Sequence, residues 1–213
     1  MRDKLVIIGA SGHGKVIADI ARLNGYHEIV FLDDDKSKNK NGIYDVVGTS
    51  KDIEAYKKEY DYIIAIGNNA IREKIAKQLN AKNIIQSILI HPSAVIDKTA
   101  VIGEGTVIMA NAVVNADVTI KKCCIINTAA TIDHDCVIED FVHISPGAHI
   151  AGTVYIGKAT WIGVGSSIVN NLTICNDCII GAGSTVIADI KTKGTYVGCP
   201  VSKKRINVIS KKI

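Results

Sequence analysis

An aliphatic residue recurs at every sixth position through the second half of the chain. Ile or Val occupies this position from Ile90 to Val186, which makes seventeen hexads without an insertion or a deletion. The fourth residue after each aliphatic is small or apolar nearly throughout, as at Ala94, Thr106 and Cys124. Neither an α-helix nor a simple alternating strand keeps a six-residue phase. The pattern predicts a solenoid of short strands, in which three hexads form one triangular coil of 18 residues.

Polar and small residues follow the aliphatic position at several of the predicted corners, where they suit turn conformations that most side chains resist. These corner residues are Gly103, Asn115, Asp133, Gly157, Gly163 and Gly181.

The first part of the chain has the pattern of a small α/β domain. Four apolar runs predict strands, and three stretches with a helical spacing of apolar residues predict helices. The predicted strands are residues 4–8, 28–32, 62–66 and 84–88, and the predicted helices are residues 15–24, 50–59 and 70–79. Strands that alternate with helices imply a parallel sheet. Pro92 and the first hexad place the boundary at residue 89, so we expect domains at 1–89 and 90–213.

A glycine-rich turn, residues 9–14, joins the first predicted strand to the first predicted helix. Backbone amides at a helix N-terminus favour an anion such as phosphate. Asp33 and Asp34 follow the second strand, and Gly67 and Asn68 follow the third, so all four should meet at one edge of the sheet. The glycine spacing and the short domain favour a single-nucleotide conjugate over a dinucleotide. A docking domain with an incidental glycine turn is the alternative.

Charge and hydropathy narrow the class of protein. The formal net charge of +4 argues against nucleic acid as a main partner and permits an anionic ligand. The chain lacks an apolar run of about 18 residues, and Lys4 interrupts its N-terminus, so neither a membrane span nor a signal peptide is expected. These features lead us to expect a cytoplasmic protein without membrane contact.

Charged residues are sparse within the hexads, and the sequence Asp133-His134-Asp135 is the exception. An imidazole can accept a proton at neutral pH, and a neighbouring carboxylate holds its tautomer and stabilises its charged form. Asp135 is the first choice for that carboxylate, with Asp133 second. Gly152 lies one predicted coil after His134, where it leaves room beside the imidazole and offers a backbone N–H to an oxyanion.

The motifs together resemble the sugar O- and N-acetyltransferases among the hexapeptide-repeat acyltransferases. They are the turn at residues 9–15, the segments 31–34 and 66–69, the pair His134-Asp135 within hexads, and the ending Gly198-Cys-Pro. The family includes the UDP-4-amino-sugar N-acetyltransferases of the bacillosamine pathway and the sialic-acid O-acetyltransferases. The resemblance covers the whole chain. It implies an α/β Rossmann-like N-terminal domain with a small parallel sheet, followed by an all-β left-handed parallel β-helix.

The resemblance also implies roles for individual residues. His134 would be the general base, supported by Asp135, which stands where the bacillosamine enzymes have Glu. The family forms homotrimers with active sites between subunits, uses acetyl-CoA as co-substrate and needs no metal. The implied nucleotide-sugar contacts are Ser11, Gly12, His13, Asp33, Asp34, Gly67 and Asn68, and the implied acetyl-CoA contacts are His143, Gly152, Val164 and Ala182.

We therefore expect an acetyl-CoA-dependent N-acetyltransferase that acts on the 4-amino group of a UDP-linked 4-amino-4,6-dideoxy sugar. The alternatives among acetyltransferases are O-acetylation of a sialic acid and N-acetylation of a GDP- or dTDP-linked amino sugar. Two other classes stay open. A zinc carbonic anhydrase would need three imidazoles at one metal, for which His134, His143 and His149 are the candidates. A non-catalytic β-helix scaffold would need no catalytic or metal-binding residues.

Overall fold

The computed structural model describes residues 3–203. Its N-terminal part is a five-stranded sheet with the strand order β3-β4-β2-β1-β5. The neighbours β4, β2, β1 and β5 run parallel, and β3 is antiparallel to β4. The elements are β1 (Lys4–Ile8), α1 (Gly12–Leu23), β2 (Glu28–Leu32), β3 (Lys40–Asn41), β4 (Tyr44–Gly48), a 3₁₀ turn (Ser50–Asp52), α2 (Ile53–Tyr56), β5 (Asp61–Ile64) and α3 (Asn69–Ala81).

Burial explains why this sheet forms where the apolar runs predict it. Leu5, Val6 and Ile7 of β1 are fully buried although they point to alternate faces of the sheet. A strand with both faces covered is typical of a parallel sheet between helices. On one side, α1 contributes the buried residues Ile17 and Ala21, which share one helix face.

Two features of this domain differ from the sequence-based expectation. The predicted strand at residues 84–88 is wrong: only Gln86 makes a bridge, with Tyr62, and Ile85 is 78% exposed. The segment is a linker. The predicted helix at residues 50–59 is shorter, because a 3₁₀ turn precedes α2, which ends at Tyr56. The hairpin β3–β4 lies in a stretch for which the sequence predicted neither a strand nor a helix.

The hexads form a left-handed parallel β-helix, a three-sided prism in which seventeen two-residue strands recur every six residues. Face 1 consists of β7 (Val95–Ile96), β10 (Val113–Val114), β13 (Thr131–Ile132), β16 (His149–Ile150), β19 (Ser167–Ile168) and β22 (Thr185–Val186). Face 2 consists of β8 (Val101–Ile102), β11 (Thr119–Ile120), β14 (Val137–Ile138), β17 (Tyr155–Ile156) and β20 (Thr173–Ile174). Face 3 consists of β6 (Leu89–Ile90), β9 (Val107–Ile108), β12 (Ile125–Ile126), β15 (His143–Ile144), β18 (Trp161–Ile162), β21 (Ile179–Ile180), β23 (Thr195–Val197) and β24 (Ser202–Lys203).

The recurring aliphatic residue fills the prism. Strands pair in register at intervals of 18 residues, so that Ile120 lies between Ile102 and Ile138. From Ile108 to Val186 the aliphatic side chains form one continuous buried core together with the small residues that face them. Burial of each Ile or Val contributes on the order of 1.5–3 kcal/mol, which is why so strict a repeat holds one register.

The corners contain a second regular feature, a residue with a left-handed backbone. The sequence pattern placed this turn residue directly after the aliphatic residue, which is two residues too early. The third residue after the aliphatic has a left-handed backbone in fourteen consecutive hexads from Gly105 to Gly183, and ten of these residues are not glycine. The glycines at residues 103 and 163 serve another purpose. A Cβ at either would lie within 2.5–2.6 Å of backbone atoms one coil later, so close approach of the chain requires glycine there.

Face 3 is the side on which the two parts of the chain meet. Leu89, Val107 and Ile125 project from this face into the same buried cluster as Leu5 and Ile7 of β1. Part of this face is thereby covered, whereas faces 1 and 2 carry exposed apolar side chains. The strand β6 straddles the boundary expected at residue 89.

The C-terminal ending returns to face 3 through Gly198 and a cis bond between Cys199 and Pro200. Of the basic cluster that follows, Lys204 and Arg205 lie outside the described residues. No helix within residues 3–203 is long and apolar enough to cross a bilayer.

Candidate active site

His134 lies at the corner between β13 and β14, and two carboxylates hold its position. The Asp133 carboxylate accepts the backbone N–H of His134 at 2.9 Å and the Asn115 side-chain amide at 2.9 Å. Asp135 occupies the left-handed position of the corner, with φ of 59°. This backbone turn directs the Asp135 side chain back toward the ring that precedes it.

The imidazole of His134 and the carboxylate of Asp135 form a short hydrogen bond. His134 Nδ1 lies 2.8 Å from Asp135 Oδ2, and both side chains are 57% exposed. This bond, and then the charge of Asp133, raise the pKa of His134 above its usual value. With Nδ1 protonated toward the carboxylate, Nε2 is left as the proton acceptor, which is the arrangement that general-base catalysis needs.

Gly152 lies directly over the His134 ring, one coil later. A Cβ at Gly152 would be 2.6 Å from Cε1 and 2.7 Å from Nε2 of His134, so any side chain there would displace the ring. The residue before it, Ala151, takes the coil position of Asp133 but has no side-chain acceptor. Within residues 3–203 we find no hydrogen bond from the buried Gly152 amide. A backbone donor thus lies beside the basic nitrogen.

An open groove runs from this corner across face 1. Near His134 it is lined by Asp133, Gly152 and Asn170, and it continues along Thr131 and His149. Val164 and Ala182 lie at the opposite edge of face 1, where they are one coil apart and joined through the bond from Gly183 to the Val164 carbonyl. Within one chain, these two predicted acetyl-CoA contacts are therefore separated from His134 by the width of the face.

A second cavity, of about 320 Å³, lies at the carboxyl ends of β1, β2 and β5. Four of the predicted nucleotide-sugar contacts line it, as expected for parallel sheets. They are Ser11, Asp33, Asp34 and Gly67. The other three flank it. Gly12 begins α1, His13 follows it, and Asn68 caps α3 by accepting the Ile71 amide at 3.0 Å.

Both oxygens of Asp33 are already engaged by the protein. Oδ2 accepts the Ala10 amide at 2.7 Å and Lys38 Nζ at 3.0 Å, and Oδ1 accepts the Asp35 amide at 2.9 Å. Burial works against the charged carboxylate, but these three donors together lower the pKa of Asp33. Asp33 therefore anchors the glycine-rich turn to the end of β2, whatever it contributes to a ligand.

His143 lies on face 3 beneath the N-terminal domain, away from the His134 corner. Its ring stacks on Trp161 with centroids 5.6 Å apart, and Nε2 is 3.1 Å from Asn127 Nδ2. Burial, reinforced by the charges of Arg72 and His13, lowers the pKa of His143 to about 3. The resemblance implies that His143 contacts acetyl-CoA, and the structure places the residue at the seam between the domains.

His13 reaches the same seam from α1. Burial, with a smaller effect of Arg72, lowers its pKa to about 4. Nε2 of His13 and Nδ1 of His143 are both buried, and neither has a hydrogen-bond partner among residues 3–203. Two neutral imidazoles with unsatisfied nitrogens favour a polar ligand in this crevice, because buried polar atoms are normally paired.

Sequence reasoning missed three residues of the seam. Arg72 resembles a solvated helix residue in the pattern, and Asn127 resembles an ordinary corner. Trp161 is the only tryptophan of the chain, which is a signal that could have drawn attention to it. Its Nε1 donates to Ser145 Oγ at 2.7 Å, which fixes the stacked ring.

The three candidate zinc ligands do not converge. His134 lies at a corner, His143 on face 3 and His149 on face 1, where its Nδ1 is 2.9 Å from Thr131 Oγ1. Within the described part of the chain, no group of three His, Cys, Asp or Glu side chains is placed to hold a metal ion.

Comparison with known proteins identifies chains of similar sequence and fold. Residues 4–79 match the family model described as the PglD N-terminal domain. The UDP-N-acetylbacillosamine N-acetyltransferase of Bacillus subtilis is 38% identical over 106 residues, an alignment that spans about half of each chain, 48% of this one and 49% of the relative.

Solved structures extend the similarity to nearly the whole chain. The acetyltransferase domain of PglB from Neisseria gonorrhoeae, also solved in complex with acetyl coenzyme A, is 41% identical with a TM-score of 0.92, and the match covers 95% of this chain and 100% of that one. PerB from Caulobacter crescentus, in complex with CoA and GDP-perosamine, is 32% identical with a TM-score of 0.90, covering 95% and 97%.

The three-sided prism and its matches to solved acetyltransferases identify a left-handed β-helix acyltransferase of the hexapeptide-repeat class. Within that class, the chain belongs to the family of acetyl-CoA-dependent sugar N-acetyltransferases that contains the PglB acetyltransferase domain and PerB.

Proposed function

We propose that the protein transfers the acetyl group of acetyl-CoA to the 4-amino group of a UDP-linked 4-amino-4,6-dideoxy sugar, with His134 as general base. The observation that supports the base most directly is the position of its ring. Asp135 holds Nδ1 at 2.8 Å, and Nε2 lies so close to Gly152 that a Cβ on this residue would be 2.7 Å away.

Each group has a defined task in the proposed reaction. The neutral sugar amine attacks the thioester carbonyl, and His134 Nε2 accepts the proton that the amine loses. The Gly152 amide stabilises the oxyanion of the tetrahedral intermediate. The carbon–sulfur bond then breaks, and CoA leaves as thiolate or takes the proton from the imidazolium. Asp135 stabilises that imidazolium between the two steps.

The cavity of the N-terminal domain would hold the nucleotide. We propose Ser11, Gly12, His13, Asp33, Asp34, Gly67 and Asn68 as its contacts, with the anionic phosphates near the start of α1. UDP is preferred because of the Bacillus subtilis relative, and GDP is the alternative because PerB was solved with GDP-perosamine. A thermal-shift comparison of UDP, GDP, dTDP and CMP separates them, since only a bound nucleotide raises Tm appreciably.

Acetyl-CoA would lie along face 1, between prisms of a cytoplasmic homotrimer. Its proposed contacts are Gly152, Val164 and Ala182 at the edges of face 1, together with His143, which lies on face 3 and would be reached around the corner that carries Val164 and Ala182. Exposed apolar residues on the prism support packing against a second copy, because Val95, Val101 and Val164 are 64%, 60% and 54% exposed. A neighbouring prism would also bring together contacts that lie far apart in one chain.

Substitution of His134 by Ala tests the proposed base. We expect kcat/KM for acetyl transfer to fall by about 10²–10⁴-fold, since this is the usual contribution of a positioned base. His27→Ala is the matched control, because His27 is an exposed histidine that lines neither the groove on face 1 nor the cavity of the N-terminal domain. Release of CoA thiol gives the rate. Near-normal turnover by His134→Ala with an intact fold would refute the role.

Mixing two inactive variants tests whether two chains share one site. If His134 and His13 act on one substrate from different subunits, co-refolding His134→Ala with His13→Ala should restore up to about one quarter of wild-type activity through mixed trimers. No recovery, together with a monomeric mass by light scattering, would place the whole site in one chain.

A further inference from the structure

Arg72 in α3 is a buried cation, and no carboxylate in the described part of the chain forms an ion pair with it. Its residue is 1% exposed, yet all five N–H groups of the guanidinium have acceptors. Nη1 donates to the carbonyls of Ile66 and Gly67 at 2.9 and 3.1 Å. Nη2 donates to Asn69 Oδ1 at 2.8 Å and to the Phe141 carbonyl at 2.7 Å. The remaining donor, Nε, is 2.8 Å from the Cys123 carbonyl.

The acceptors belong to two different parts of the molecule. Ile66 and Gly67 form the loop after β5, which is a wall of the nucleotide cavity. Cys123 and Phe141 are corner residues of the β-helix, one coil apart. The guanidinium therefore joins the loop to the prism through one rigid, planar group, a geometry that a lysine ammonium does not reproduce.

The prism side of this contact is a column of left-handed corners. Cys123, Phe141 and Ala159 follow one another at intervals of 18 residues, with φ of 54°, 60° and 56°. Arg72 takes the first two carbonyls, and the Asn69 side chain donates to the Ala159 carbonyl at 2.8 Å. Two neighbouring side chains of α3 thus contact three successive coils at one corner.

The arrangement also orients the loop. Because Arg72 binds the carbonyls of Ile66 and Gly67, the N–H groups of the same two peptides, those of Gly67 and Asn68, point away from the guanidinium. No hydrogen bond from these two amides is found among the described residues. Desolvation lowers the pKa of Arg72 to about 10, so the guanidinium stays charged at neutral pH.

We propose that Arg72, together with Asn69, is a positioning residue that fixes the nucleotide-binding loop 66–68 at a set height on the β-helix. This sets where a bound sugar lies relative to the prism. The inference rests on the proposed function for its kinetic consequence, but not for the loop anchoring itself.

Hydrogen exchange on the free protein tests the anchoring. Arg72→Lys should accelerate exchange of the two hydrogen-bonded amides that hold the ends of the loop, those of Ala65 and Ile71, while the middle of β1 exchanges as in the wild type. Glu73→Ala is the matched control, because Glu73 bridges α3 to Lys158 of the prism at 2.8 Å without touching the loop. If Arg72→Lys leaves exchange of the Ala65 and Ile71 amides unchanged, the proposal is overturned. Asn69→Ala provides the same test if Arg72→Lys fails to fold.

Steady-state kinetics test the consequence. In Arg72→Lys and in Asn69→Ala we expect kcat/KM for the nucleotide sugar to fall about tenfold or more, because small misplacements of a substrate are costly. In the same two variants, KM for acetyl-CoA should stay within about twofold. An equal rise of both KM values would indicate a general structural role and would overturn the proposal. A wild-type enzyme inactive with every nucleotide sugar would refute the proposed function instead, while the exchange experiment would still decide the anchoring.

Discussion

His134 is set between a carboxylate on one side and a bare glycine on the other. The sequence allowed both neighbours to be predicted, because Asp135 is adjacent and Gly152 follows after one 18-residue coil. The burial of His143 could not be predicted in this way. Its position in the hexad points outward, and it is covered only because the N-terminal domain packs on that face.

Asp135→Asn should change the pH profile of acetyl transfer. Asn tolerates the left-handed backbone at this position, so the fold is kept. The Asp135 carboxylate is the largest cause of the raised pKa of His134, so its loss should move the acidic inflection of kcat/KM to lower pH. Asp133→Asn should produce a smaller shift. If the inflection is unchanged in Asp135→Asn, the pH dependence of acetyl transfer does not arise from the His134–Asp135 pair.

Gly152→Ala should reduce acetyl transfer by at least about tenfold while leaving the fold intact, because the new methyl group would occupy the space of the His134 ring. Gly147→Ala is a suitable control. Its Cβ would meet no atom within 4 Å, and alanine already occupies the same left-handed position at Ala129. Circular dichroism and CoA release measure both effects. Equal activities of the two variants would contradict the steric argument.

At the scale of elements, the sequence predicted best those strands whose buried apolar residues recur in a strong, regular pattern. The prism strands were predicted because each aliphatic residue is buried in one continuous core. The hairpin β3–β4 was missed because Lys40 and Asn41 carry no apolar alternation. The linker at residues 84–88 was mistaken for a strand because apolar composition alone does not reveal that Ile85 and Ile88 face solvent.

The left-handed corners give a prediction about stability. Asn111 and Ala129 are exposed and occupy the same corner one coil apart, with φ of 57° and 54°. Asn adopts this conformation more readily than Ala, so Ala129→Asn should stabilise the protein by about 0.5–1 kcal/mol, and Asn111→Ala should destabilise it similarly. Thermal unfolding measures both. Shifts of Tm in the same direction would contradict the explanation.

At the scale of the whole molecule, the two domains are joined by a buried seam that contains His13 and His143. The family, the fold and the cavity at the sheet edge were predictable from motifs and periodicity. The seam was not, because residues such as Arg72 are hydrophilic by type and become buried only through docking.

This seam should make the protein less stable in mild acid. The folded pKa values of His13 and His143 are lowered to about 4 and about 3. Unfolded histidine titrates near pH 6.5, so between about pH 6.5 and 4 the unfolded chain binds protons that the folded chain does not. Stability should therefore fall as pH decreases through this range. Tm measured against pH, with His143→Gln as comparison, tests this: the variant should show a weaker dependence.

The unbroken 18-residue coil makes residue number equivalent to height along the prism axis. An extra coil added after Val186 would lengthen the molecule by about 4.8 Å and leave every earlier contact in place. An insertion of six residues between Pro146 and Gly152 would instead rotate all later residues by one face, carrying Gly152 to a different corner from His134. Length variation among relatives of this chain should therefore fall outside the segment between His134 and Gly152, and elsewhere in the prism it should come in whole coils.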